Sequence, residues 1–87
     1  MVVIYNWRMP KGIESDFLSR FGGVIRARRE ELGLSQETLA TRAELHRSYI
    51  GDVERGRRNV ALRNVERLAA ALELTIPELF KRVDRGS

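Results

Sequence analysis

The stretch LSQETLATRAELHRSYIGDVERG, residues 34 to 56, holds two helix-length segments joined by the tight link Ala-Glu-Leu. In the first, Ser35 is a good N-cap, Glu37 sits in the favourable first turn, and Leu39, Ala40 and Ala43 form an apolar stripe. The second reads as a helix from about Arg47 to Arg55, stopped by Gly56. With Ile50, Val53, Tyr49 and His46 within about 100° of arc, only one side of it has the means to join a core. The rest of the chain must therefore supply the other walls of that core.

It does so with more helices. From Ser15 onward Phe17, Phe21, Val24, Ile25 and Leu32 recur on one side of a helix that ends at Gly33, with Gly22 and Gly23 marking a place where it begins or bends. Beyond residue 60, LRNVERLAAALEL predicts a fourth helix with Leu62, Val65, Leu68, Ala69 and Leu72 inward. A capping-box pair, Thr75 and Glu78 around Pro77, opens a fifth with Leu79, Phe80 and Val83. The expectation is an all-α fold, a compact five-helix domain over residues 15–83, with an N-terminal extension at 1–14 and a short tail at 84–87. The extension begins as a β-prone apolar run and ends in Pro-Lys-Gly, with no periodic partner elsewhere. It reads as a leader, an artefact of an upstream start, or an arm that pairs with a second subunit.

An 87-residue chain has room for one domain and no deep cleft. The chain has no cysteine, so disulfides and thiolate metal sites are excluded, and no apolar run approaches the roughly 20 residues of a membrane span. There is no P-loop, zinc motif or matched carboxylate pair, and His46, the only histidine, cannot build a metal site or triad alone. No enzyme, cofactor or metal is expected, and the default address is cytoplasmic. The net charge is +4, and fourteen of the sixteen basic residues are arginine, which suits phosphate and guanine edges as well as the codon usage of a GC-rich genome. Position separates these sources: five arginines (Arg47, Arg55, Arg57, Arg58, Arg63) face only Asp52 and Glu54 between residues 46 and 63.

The outer side of the third helix carries Arg47, Ser48, Gly51, Asp52 and Arg55. It lacks a large apolar residue, starts with polar donors, and has a glycine where a bulky side chain would hold a partner away. A helix entering the ~12 Å major groove of DNA needs this profile.

From about Phe21 to Phe80 the sequence resembles the helix-turn-helix domain of the phage-repressor (Cro/CI, XRE) family, on the segment GLSQETLATRAELHRSYIGDVERGRRN. Within the family, RSYI followed by ERGRRN is most similar to the controller proteins of restriction-modification systems. The resemblance implies a lambda-repressor-like domain that regulates transcription on double-stranded DNA. It implies Arg47 and Ser48 in the major groove, with Tyr49 beside them on backbone or a base edge, and Gln36, Arg58, Asn59 and Asn64 on phosphates. His46, Arg55, Arg57 and Arg63 join the phosphate set as basic or capping residues nearby. Arg29 and Glu54 match a partly buried ion pair that joins the first helix to the third.

Two positions depart from the family pattern. Glu44 stands where the turn usually has glycine, and Asp52 shares the face of Arg47. Asp52 either accepts from a cytosine amino group, braces Arg55, or bonds Ser48. Tyr49 fits core edging as well as DNA contact, and Arg57 and Arg67 fit solvated charges. One short helix reads few base pairs, so a homodimer on a palindromic operator is expected, with Leu74, Ile76, Leu79, Phe80 and Val83 as its interface or as core closure. RNA polymerase is a further partner if the protein activates. An antitoxin or adaptor that keeps the fold for protein contacts is the alternative.

Overall fold

The computed structural model describes residues 13–85. Five helices follow in chain order: α1 (Ile13–Glu31), α2 (Gln36–Ala43), α3 (Arg47–Glu54), α4 (Leu62–Ala71) and α5 (Ile76–Asp84). Among the described residues there is no strand. Residues 1–12, where the extension was expected, lie outside the described residues, and α1 is helical before Ser15.

α1 packs on α3 and α5, α2 on α3 and α4, and α4 on α5. Ile25, Leu39, Ile50, Leu68, Leu72 and Leu79 are fully buried where these helices meet. Each such side chain contributes on the order of 2 kcal/mol by leaving water. The stripe expected on α2 is confirmed, since Leu39, Ala40 and Ala43 belong to this core, and on α3 Ile50 and Val53 belong to it with Tyr49 packed against it, whereas His46 at the N-cap is exposed. Two further expectations fail. Leu62 is 85% exposed, because it is the first residue of α4 and has no preceding turn to pack back onto. Phe17, in the first half of α1, is 40% exposed. Of the five residues offered for a dimer surface, Leu74, Leu79 and Val83 close the core of the single chain, so only Ile76 and Phe80 retain surface for a partner.

Gly22 and Gly23 neither start nor bend α1, which runs unbroken through them. Gly22 is buried against the end of α3, where a Cβ would lie 2.2 Å from the Val53 carbonyl oxygen and 2.8 Å from that of Glu54. The missing side chain lets two helix backbones touch.

α1, α2, α3 and α4 end in the same way. A residue with positive φ follows each helix: Gly33, Glu44, Gly56 and Glu73. The next N–H then reaches back five residues, from Leu34 to Arg29 O (3.0 Å), Leu45 to Ala40 O (2.9 Å), Arg57 to Asp52 O (2.9 Å) and Leu74 to Ala69 O (2.9 Å). This is the Schellman arrangement, which satisfies carbonyls that a helix end otherwise strands. The tight link is confirmed as such a turn, with Glu44 at φ 58°, ψ 44°. Helix starts are set by side chains where the sequence has them. Ser35 Oγ accepts from Thr38 N–H (3.0 Å), and Thr75 and Glu78 form the expected capping box.

Two predictions follow from these ends. Glu44→Gly relieves left-handed strain and raises unfolding free energy by about 1 kcal/mol in a urea titration. Glu78 accepts from the Thr75 N–H (2.8 Å), and this backbone hydrogen bond, then that with the Thr75 side chain, holds its carboxyl below the ordinary glutamate range. Its contribution is present above the unfolded-state pKa and is lost as pH falls through the lowered folded value. Glu78→Gln therefore flattens the stability profile on the acid side of pH 4.5, measured by thermal melts at stepped pH.

Candidate nucleic-acid interface

α3 is fixed from one end. Arg29 on α1 donates from Nε to Glu54 Oε2 (2.7 Å) and from Nη2 to Glu54 Oε1 (3.0 Å), and its Nη1 donates to Leu34 O (2.9 Å). Gln36, the first residue of α2, donates from Nε2 to the same Glu54 Oε1 at 3.0 Å. The Glu54 side chain is only 4% exposed and that of Arg29 only 12%. The hydrogen bond to Glu54 raises the Arg29 pKa above its ordinary value against the opposing effect of burial. A planar guanidinium facing a carboxylate has one good geometry, so this pair sets the position of α3 relative to α1 and α2. The expected structural pair is present. Gln36, expected on a phosphate, spends its amide nitrogen inside this network, since α2 begins beside the end of α3.

The other side of α3 is open. Arg47 and Ser48 in its first turn are exposed, while Ile50 and Val53 behind them are buried. His46 is the N-cap residue but makes no side-chain cap bond, which leaves the first N–H groups of α3 for an outside acceptor. α4 likewise starts without a side-chain cap, at Ala61, next to exposed Arg63. Arg57 and Asn59 are exposed in the loop between these two helix starts. Arg47, Arg57 and Arg63 enter no ion pair among the described residues.

Around them runs a connected set of side chains. Asp52 Oδ1 accepts from Arg55 Nη2 (2.9 Å), and its Oδ2 lies 3.5 Å from Arg58 Nε. The Arg58 guanidinium carbon stands 5.2 Å from the centroid of the Tyr49 ring. Asn64 on α4 donates from Nδ2 to the Tyr49 hydroxyl oxygen at 3.1 Å. Among the readings weighed for Asp52, bracing of Arg55 is what the structure shows, and Arg58 is a second partner. Tyr49 is half-buried, edging the core while its hydroxyl reaches out to α4. Gly51 differs from expectation. It is buried rather than open, because the Arg55 side chain leans back along the helix and lays its guanidinium nitrogens 3.3 Å from where a Cβ would stand.

Sequence reasoning missed the Tyr49 to Asn64 and Gln36 to Glu54 links. It also missed that, beyond Arg29, Arg28 and Arg42 are structural. Arg28 Nε donates to Leu72 O (3.0 Å) and Arg42 Nη1 to Ala71 O (3.3 Å), both at the end of α4. Carbonyls stranded at a helix end attract such donors, but their partners lie 44 and 29 residues away in the chain, beyond any local spacing rule.

An exposed, groove-width helix beside a basic loop and two open helix starts defines a DNA-reading helical module. Comparison with known proteins agrees: the helix-turn-helix family profile matches residues 25–79, and the chain belongs to that family. Its relatives include the control protein C.MunI of Mycoplasma sp., 39% identical over 72 residues, covering 82% of this chain and 97% of that protein. C.BamHI of Bacillus amyloliquefaciens is 49% identical over 61 residues, covering 69% and 75%. Among solved structures, the restriction-modification controller protein C.AhdI of Aeromonas hydrophila shares 54% identity with a TM-score of 0.70, covering 72% of this chain and 96% of that one. The controller protein C.Esp1396I, solved as a tetramer in complex with its natural 35 base-pair operator, has a TM-score of 0.76 at 33% identity, covering 80% and 92%.

Arg29→Ala leaves the buried Glu54 carboxylate with Gln36 as its remaining side-chain partner. The expected cost is about 3–5 kcal/mol in equilibrium unfolding, with a normal helical spectrum if the fold survives at low temperature.

Proposed function

We propose that this chain is the transcriptional controller of a restriction-modification system, a sequence-specific DNA-binding protein that acts as a homodimer on a palindromic operator. The observation that carries the reading is the two-sidedness of α3: Ile50 and Val53 are locked in the core while Arg47 and Ser48 stand exposed in the first turn. In that place α3 enters the major groove by its N-terminal end. Arg47 is the leading base reader, its fork matched to a guanine edge, with Ser48 and Tyr49 beside it. Arg57, Arg63, Asn59 and His46, with the open starts of α3 and α4, hold phosphates on either side.

An eight-residue helix spans too few base pairs to define an operator, so two copies read two half-sites about 34 Å apart. Exposed Ile76 and Leu62 are the apolar surface we assign to the dimer, with partly buried Phe80. The C.Esp1396I complex supports DNA as the partner over an antitoxin or adaptor role. The protein is a regulator without a catalytic step and works in the cytoplasm, as its family's regulators support; no helix among the described residues is long and apolar enough to cross a membrane.

The test is a titration of operator DNA at fixed salt. Arg47→Ala loses about 1–3 kcal/mol on the operator and relaxes preference at one base position, whereas Arg57→Ala weakens binding to all sequences and lowers the salt slope by about one. Unchanged operator affinity in Arg47→Ala would remove α3 from the groove.

A further inference from the structure

Asp52 is the one acid on a face that is otherwise polar or basic, and both of its oxygens are engaged. Oδ1 holds Arg55 at 2.9 Å and Oδ2 holds Arg58 at 3.5 Å. The two arginines are also seated by other means. Arg55 lies over Gly51, its guanidinium nitrogens 3.3 Å from where a Cβ would stand, and Arg58 stands over the Tyr49 ring. Each arginine thus has a carboxylate partner and a fitted surface before any DNA arrives.

We infer that Asp52 is a specificity-determining residue that suppresses binding to DNA in general by holding Arg55 and Arg58 against the protein's own face. This rests on the reading of α3 as the DNA-reading helix. A phosphate that takes either arginine must displace a carboxylate already paired with it. On an arbitrary sequence, where Arg47 and Ser48 find no matching edges, nothing offsets that exchange. On the operator, the base contacts position the backbone closely enough to complete it. Non-specific affinity comes almost entirely from phosphate contacts, each releasing about 0.9 of a counterion, or roughly an eightfold gain per contact at 0.1 M salt. Withholding two arginines therefore lowers background binding far more than operator binding and widens the ratio between them, the quantity that decides occupancy in a genome.

The experiment compares the full chain with Asp52→Asn, on operator duplex and on a scrambled duplex of equal length, across a salt series. Thermal melts verify that the variant is folded. The expected result is scrambled-duplex affinity raised roughly eightfold or more at 0.1 M salt, a salt slope steeper by about one to two, and a smaller operator-to-scrambled ratio. The same substitution in an Arg55→Ala, Arg58→Ala background loses most of this gain, which a general change in net charge would not do. Unchanged or weaker scrambled-duplex binding overturns the inference and leaves Asp52 a brace that only shapes the helix. A changed base preference at one operator position, with scrambled binding unaltered, also overturns it and makes Asp52 a base reader. Failure of the unmodified protein to prefer operator over scrambled DNA would instead overturn the functional reading.

Discussion

A single buried ion pair sets the geometry on which the rest depends. Arg29 and Glu54 are almost shielded from solvent, and their two-pronged hydrogen bond joins the end of α1 to the end of α3, with Gln36 attaching the start of α2 to the same carboxylate. Burying two charges is expensive, and an apolar pair of similar volume would often serve stability as well. What an apolar pair would not supply is direction. The flat guanidinium facing a flat carboxylate sets an angle as well as a distance. The value of the pair lies in where α3 points.

Charge is divided between two jobs that composition alone cannot separate. Arg28 and Arg42 close the end of α4, and Arg29 holds α3, so these arginines face inward or along the domain. Among the described residues, Arg47, Arg57 and Arg63 stand free of carboxylates around the open helix starts. Arg55 and Arg58 fall between these groups, exposed yet tied to Asp52. A count of arginines says basic protein; their hydrogen bonds say which of them are available.

The helices and most of the core were legible in the sequence because their causes are local. Apolar spacing marks Leu39, Ala43, Ile50 and Val53, and a Ser or Thr followed three residues later by its partner N–H marks the starts at Ser35 and Thr75. Family resemblance marked Glu44 as standing where the turn usually has glycine, and the structure shows it in the left-handed conformation that glycine adopts there. Leu62 misled because periodicity has no knowledge of a helix's first turn, and for Leu74, Leu79 and Val83 the sequence left interface and core closure open because an apolar stripe looks the same whether it meets its own chain or another. Gly22 misled most. Its low helix propensity is a local cost, and its reason, the Val53 carbonyl on another helix, lies 31 residues downstream.

That contact has a consequence for how such a protein changes over time. Where Gly22 meets the end of α3, the spacing between α1 and α3 is fixed main chain to main chain, with no side chain between them to grow or shrink. Aim and alphabet are thereby uncoupled. With α3 proposed as the base-reading helix, substitutions on its outward residues would alter which bases are favoured without retuning the angle of approach, so one scaffold would drift to a new operator through a few surface exchanges while its interior stays unaltered.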